Sequence, residues 1–243
     1  GHSQVADHMF LDGLEDAYEN GRLMGSFAED CAEKYQFTRE AQDDYALRSL
    51  MRAREAQSSG AFENEITPFN LARKKGDYAV MQDEQPLNAK PEKIPHLKPA
   101  FRADGSVTAA NASSISDGAA ALILSSQTHM QQAGLPCRAR ILGHASHAQE
   151  PAWFSTAPIF ATRKLLDRLN WRVEDVDLWE VNEAFAVVPM AFMNELDISG
   201  DIINVHGGAC ALGHPIGASG ARIIVTLLHA MERRDVKRGI AAV

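Results

Sequence analysis

Cysteine is scarce: Cys31, Cys137 and Cys210 are the only three in 243 residues, and no two of them share C-x-x-C spacing. That excludes a disulfide framework, argues against a zinc ribbon and points to a reducing compartment. Long apolar runs are missing too. The strongest, Ile223 to Leu228, falls far short of the roughly 20 residues that cross a bilayer. Met9-Phe10-Leu11 is too short for a signal-peptide core. The chain therefore reads as soluble and cytoplasmic, with no membrane partner. Positive charge is also in deficit, 24 Lys+Arg against 32 Asp+Glu for a net charge of -8, and no window gathers a basic stripe. Nucleic acid is excluded as a partner on that ground. His144 and His206 lack an i, i+4 companion and read as structural, so no metal is expected. What remains is ordinary for one large or two small globular domains, 45% hydrophobic and 23% charged. A chain of this size buries roughly 70 to 75% of its unfolded surface without a staple.

The first hundred residues are polar and mainly helical. Ser26-Phe27-Ala28-Glu29 fits a capping box and predicts a helix from Phe27 to Lys34. Thr38 predicts the cap of a second helix carrying Tyr45, Leu47, Leu50 and Met51 and closed by Gly60. Ile66 to Leu71 and Tyr78 to Met81 read as short strands around the turn Lys75-Gly76-Asp77. Pro86, Pro91, Pro95 and Pro99 make the following stretch a loop or linker.

Beyond Pro99 strand and helix alternate. Strands are expected at Ala119 to Ser125, Arg138 to Ala145, Val176 to Val181, Ile202 to Val205 and Gly239 to Val243. Helices are expected after Pro158, from Asn182 with a kink at Pro189, and over Ala221 to Arg234. This order implies an α/β fold, with helices covering a sheet and reactive groups at strand ends. The last strand is cut short at Val243, from which a missing C-terminal piece is expected.

Two motifs can carry chemistry. Asn182-Glu183-Ala184-Phe185 lies where a strand gives way to a helix, so the Asn182 amide can donate to an oxyanion, directly or through water. Asn182 as a plain N-cap is the competing reading, and Glu183 reads as a first-turn acid. The second motif runs from Asn204 to Arg222, with Gly207-Gly208 and Gly213-His214-Pro215-Ile216-Gly217 at its centre. Small residues let a substrate approach His214 closely, and the start of a helix disfavours imidazolium. A neutral His there can take a thiol proton or, once protonated, donate to an oxyanion. A tight turn with an incidental His stands beside that reading.

These motifs closely resemble those of the thiolase family, the acetyl-CoA acetyltransferases and 3-ketoacyl-CoA thiolases. Asp12-Gly13-Leu14, Met24 to Glu29, Asn111-Ala112-Ser113, Asp117 to Ala120 and Ala157-Pro158 are similar to the same family. The resemblance implies a thiolase-like layered core with an inserted, mainly helical loop domain. Residues 1-104 would be the CoA-binding loop domain, 105-136 the tail of the first core domain with its connection, and 137-243 the second core domain. It implies acyl transfer between CoA and a cysteine, with Claisen condensation or thiolytic cleavage of 3-ketoacyl-CoA. His214 would activate the nucleophile and donate to the thioester oxyanion, and Asn182 would position a water there. Met24, Ala109, Ser113, Ala184, Phe185 and Phe154 would line the CoA and acyl pocket. Acyl-CoA and CoA would be substrates, no cofactor is expected, and the complete protein would be a homodimer or homotetramer in fatty acid metabolism.

The sequence departs from the family in what it lacks. Neither the nucleophilic cysteine nor the second, proton-shuttling cysteine has a counterpart among Cys31, Cys137 and Cys210, so this chain is expected to be inactive alone. Leu23 stands where short-chain members often carry His, Phe27 where many carry Thr, and Phe154 where some carry Met, which leaves acyl length open. Two other readings are a non-catalytic CoA-binding or assembly module, and a related condensing enzyme. The Asn-Glu-Ala-Phe run beside Gly-His-Pro favours a thiolase over the latter.

Overall fold

A computed structural model describes residues 1-74 and 76-243. After a π-helical turn at Phe10–Leu14, helix α1 covers Met24–Tyr35 and helix α2 covers Arg39–Ser58. The Thr38 hydroxyl accepts from the Ala41 amide at 3.1 Å, which is the expected cap of α2. The capping box expected at α1 does not form. Ser26 Oγ instead donates to the Leu23 carbonyl, and the Glu29 carboxylate accepts from the Ser106 and Val107 amides. A distant loop offers those donors, and they outcompete the local box.

Strands β1 (Phe69–Leu71) and β2 (Tyr78–Val80) form an antiparallel hairpin with Phe69 opposite Val80. The expected turn between them includes Lys75, which lies outside the described residues. The proline-rich stretch is more ordered than a plain linker. Helix α3 (Glu84–Asn88) places Pro86 in its first turn, and Pro91 opens a 3-10 turn, Pro91–His96. Proline is tolerated there because those amides have no helical partner. The guanidiniums of Arg54 and Arg39, projecting from α2, bind the carbonyls of Pro86, Ala89, Ile94 and Leu97 and tie the stretch down. Helix α4 (Gln127–Ala133) follows, capped by Ser126 and closed by Gly134.

The remaining chain builds a parallel sheet. A 3-10 turn at Pro151–Thr156 leads into α5 (Ala157–Leu169), then β3 (Leu178–Val181), α6 (Val187–Leu196), the single turn α7 (Ala209–Leu212), α8 (Ile216–Arg234) and β4 (Gly239–Ala242). β3 is central. It pairs in parallel with β4, Trp179 opposite Ile240, and on its other edge with Ile202 to Asn204, through Trp179 N to Ile202 O and Asn204 N to Trp179 O, both 2.9 Å. Alternation along β3 separates two cores. Trp179 and Val181 face α1, α5 and α6, whereas Leu178 packs against Leu227 and Ala230 of α8. A sheet buried on both faces explains why every β3 side chain is apolar except Glu180.

Asn204 ends the short edge strand with a left-handed backbone, φ 46°. Its side chain takes over the pairing: Oδ1 accepts from the Val181 amide at 2.7 Å and Nδ2 donates to the Val181 carbonyl at 2.8 Å. A side-chain amide thus supplies a ladder rung while the main chain turns away toward Gly207.

Four further expectations are corrected. Ala119 to Ser125 and Arg138 to Ala145 form no strand among the described residues, and Ile123, Leu124, Ile141 and Leu142 are exposed. Apolar runs indicate a tendency to be buried, but a strand also needs a paired edge, and none is present there. The helix expected from Asn182 begins only at Val187, because residues 182-186 form a turn. Pro189 is the third residue of α6, in its first turn, so it costs no helical hydrogen bond and the α6 helix runs through it.

Candidate active site

The two motifs meet at the end of the sheet. β3 delivers Asn182 to its C-terminal rim, and the segment after the edge strand returns His214 beside it. Asn182 Nδ2 lies 3.3 Å from His214 Nε2. On the other side of the ring, His214 Nδ1 lies 2.5 Å from Ser219 Oγ. Ser219 donates its hydroxyl proton to the Pro215 carbonyl at 3.1 Å, so it accepts from the imidazole. Nδ1 then carries the ring proton, and Nε2 is the free base facing the Asn182 amide. Burial, with the Arg222 guanidinium second, holds the His214 pKa below its ordinary 6.5. Among the described residues Asn182 keeps one N–H to spare, and its buried Oδ1 meets no donor.

Close packing fixes this geometry. Gly213 sits at φ 89°, where a side chain is strained, and a Cβ there would lie 2.1 Å from Ser116 Oγ. The His214 amide donates to the Ser114 carbonyl at 3.1 Å. Residues 111-113 lie antiparallel to the Asn182 turn: Ala186 N donates to Asn111 O, and Ser113 N and Oγ both donate to Ala184 O. Asn111 is held from below, its Nδ2 donating to Asp43 on α2.

An aromatic wall flanks the turn. The Phe185 ring stands edge-on to Phe154 at 6.3 Å and to Phe101 at 6.0 Å, and Phe154 in turn meets Phe27 at 6.5 Å. A cleft alongside is lined by Arg22, Leu23, Ser26, Phe101 and Arg102 among others.

The family descriptions "Thiolase, N-terminal domain" and "Thiolase, C-terminal domain" match residues 1-128 and 135-243. The chain belongs to the thiolase family. An acetyl-CoA acetyltransferase of Pseudomonas aeruginosa is 49% identical over 99% of this chain and 62% of its own length. A probable acetyl-CoA acetyltransferase of Dictyostelium discoideum is 47% identical over 100% of the chain and 59% of its own length. Among solved structures, the acetyl-CoA acetyltransferase of Bacillus anthracis superposes with a TM-score of 0.94 at 42% identity, covering 99% of this chain and 61% of that one. A thiolase from Ascaris suum in complex with coenzyme A gives 0.88 at 40% identity, with the same coverage. The chain thus spans 59 to 62% of the length of these relatives.

Within this thiolase chain, the expected residues fall into three groups. Asn182 and His214 are in contact. Ser113, Ala184 and Phe185 form the strap and turn beside them, and Phe154 joins through its ring contact. Met24 and Phe154 pack at the rim of the main core, and Ala109 is exposed. Among the described residues no cysteine is hydrogen-bonded to His214. Cys210 is buried, and burial together with the Glu183 carboxylate drives its thiol pKa well up. Cys31 is buried with its pKa raised by desolvation, and Cys137 is exposed. No set of three or more His, Cys, Asp and Glu among the described residues could hold a metal, and no helix among them is long and apolar enough to cross a membrane.

Two contacts at the site were not legible in the sequence. Ser219 reads as one more small residue of the Gly-rich run, and Glu183 as a first-turn acid. The structure overturns that last reading, since Glu183 is fully buried and precedes the helix.

Proposed function

We propose that the complete protein is an acetyl-CoA C-acyltransferase of the thiolase type, transferring an acyl group between coenzyme A and a cysteine. In this reading the chain contributes the CoA-binding loop domain (1-104), the tail of the first core domain (105-136) and most of the second (137-243). The observation that carries it is the hydrogen-bonded Asn182–His214 pair at the sheet rim, with Ser219 setting the tautomer. A thioester enolate is a developing negative charge, and a cysteine attacks well only with a base beside it. His214 Nε2 takes the thiol proton. The thiolate then attacks the thioester carbonyl while the imidazolium hydrogen-bonds to the oxygen that gains charge; collapse of the tetrahedral adduct breaks the carbon–sulfur bond to coenzyme A, whose sulfur leaves with the proton from the imidazolium. The spare Asn182 N–H holds a water at the same oxygen. The depressed His214 pKa keeps the base free at neutral pH.

Met24, Ala109, Ser113, Ala184, Phe185 and Phe154 form the CoA and acyl surface in this reading, and CoA as the ligand is supported by the coenzyme A complex of the related Ascaris thiolase. The two reactive cysteines belong to other parts of the complete protein, which works in the cytoplasm as a homodimer or homotetramer in fatty acid metabolism. This chain alone does not turn over.

Two measurements test the proposal. In the complete protein, His214→Ala lowers kcat by about 100-fold or more, as loss of a general base does. Incubated with acetyl-CoA, the 243-residue chain keeps its mass of 26.5 kDa. An acetyl adduct on this chain would show a nucleophile among its own cysteines, and an undiminished kcat in the variant would refute the role of His214.

A further inference from the structure

Glu183 has no solvent exposure and no arginine or lysine hydrogen-bonded to it among the described residues. Four donors compensate. Oε1 accepts from Tyr45 Oη at 2.9 Å and Asn204 Nδ2 at 2.8 Å. Oε2 accepts from Ser49 Oγ at 2.7 Å and the Cys210 amide at 3.0 Å. Ser49 extends the joint, accepting from the Gly208 amide at 2.9 Å. There is no spare volume, because a Cβ on Gly208 would lie 2.3 Å from the carboxylate carbon. One buried anion therefore binds helix α2, the turn that carries Asn182 and the run that leads to His214.

An isolated buried carboxylate is costly, and a neutral core would serve stability as well. We propose that Glu183 is a positioning residue: its carboxylate holds the Asn182 amide and the His214 imidazole in register by anchoring both of their backbone runs to α2. The inference rests on the functional reading given above. The Asn182–His214 contact is already 3.3 Å, so slack in either run breaks it. The Asn182 N–H bonds to the neutral imidazole and is lost on protonation, so that loosening the register makes His214 easier to protonate.

The test uses the complete protein with Glu183→Gln, Tyr45→Phe and Ser49→Ala, beside His214→Ala as a reference. Glu183→Gln is expected to lower kcat about 10- to 100-fold, as a misplacement near 1 Å does, with KM for acyl-CoA within about twofold. The acid limb of the kcat/KM profile is expected to move to higher pH. Tyr45→Phe and Ser49→Ala keep the charge and each remove one donor, so they give smaller losses of the same kind even if Glu183→Gln does not fold. A folded Glu183→Gln with the parent kcat and an unmoved acid limb would overturn the proposal, as would Tyr45→Phe and Ser49→Ala variants that merely melt earlier. A fully active His214→Ala would instead overturn the functional reading.

Discussion

Replacing Gly208 by alanine adds one methyl group, and the structure says what it meets. The Gly208 backbone, φ -148°, suits any residue, so no conformational strain enters. The new Cβ would lie 2.3 Å from Glu183 Cδ and 2.5 Å from Oε1, and the carboxylate must move. It cannot move freely, because four donors from α2, Asn204 and Cys210 hold it. Overpacking costs about 1 to 3 kcal/mol, and weakening one hydrogen bond to a buried charge adds about 1.5 to 3. A destabilisation of about 2.5 to 6 kcal/mol follows. With a urea m-value of about 2 kcal/mol per molar, the midpoint falls by about 1.2 to 3 M. Gly220→Ala is the control. It lies inside α8 with nothing within 4 Å of its Cβ position, and alanine there gains about 0.5 to 1 kcal/mol from helix propensity and a more restricted unfolded chain. Urea titration followed by the fluorescence of Trp153, Trp171 and Trp179 together reads both variants. Gly208→Ala within about 0.5 kcal/mol of the parent, or two variants shifted alike, would refute the reasoning.

Other outcomes follow from the same geometry. Burial, only partly offset by Arg222 at 3.2 Å, raises the Glu180 carboxyl from 4.5 to about 8. Its protonated form therefore favours the folded state: the contribution is full below about pH 4.5 and lost as pH rises through about 8. Glu180→Gln should flatten the fall in urea midpoint between about pH 4.5 and about pH 8, and an unaltered slope there would exclude Glu180 as its source. Ser219→Ala in the complete protein removes the Nδ1 partner of His214, and turnover should fall about 5- to 30-fold; a parent-like rate would show that the tautomer is set elsewhere. In the native chain a thiol reagent should modify Cys137 quickly and leave Cys31 and Cys210 intact. Peptide mapping that finds either buried cysteine labelled at the same rate would contradict their packing.

Local signals were readable because their causes are local. Thr38 caps α2 three residues from the amide it satisfies, and the apolar runs at residues 176-181 and 239-243 mark strands that do pair. The misreadings concern partners distant in sequence. Glu29 looked like half of a capping box, yet its donors are Ser106 and Val107. Glu183 looked like a first-turn acid, yet two of its donors, Tyr45 and Ser49, lie 138 and 134 residues away. Residues 119-125 carry a strand's composition without a strand's neighbour. At the site, small residues around His214 and an amide at a strand end were visible as motifs. The contacts that tune them, Ser219 on the ring and α2 beneath the turns, depend on the path of the chain.

The rung that Asn204 supplies makes the end of the sheet chemically mutable. A backbone rung is insensitive to side-chain chemistry, whereas this one loses its donor half if a single amide is hydrolysed. Deamidation to aspartate would delete the donor to Val181 and face the Glu183 carboxylate with a second anion. The loss of one ammonia at position 204 would thus unfasten the sheet edge and the anchored turns together, so that ageing at this side chain registers first at the rim that holds Asn182.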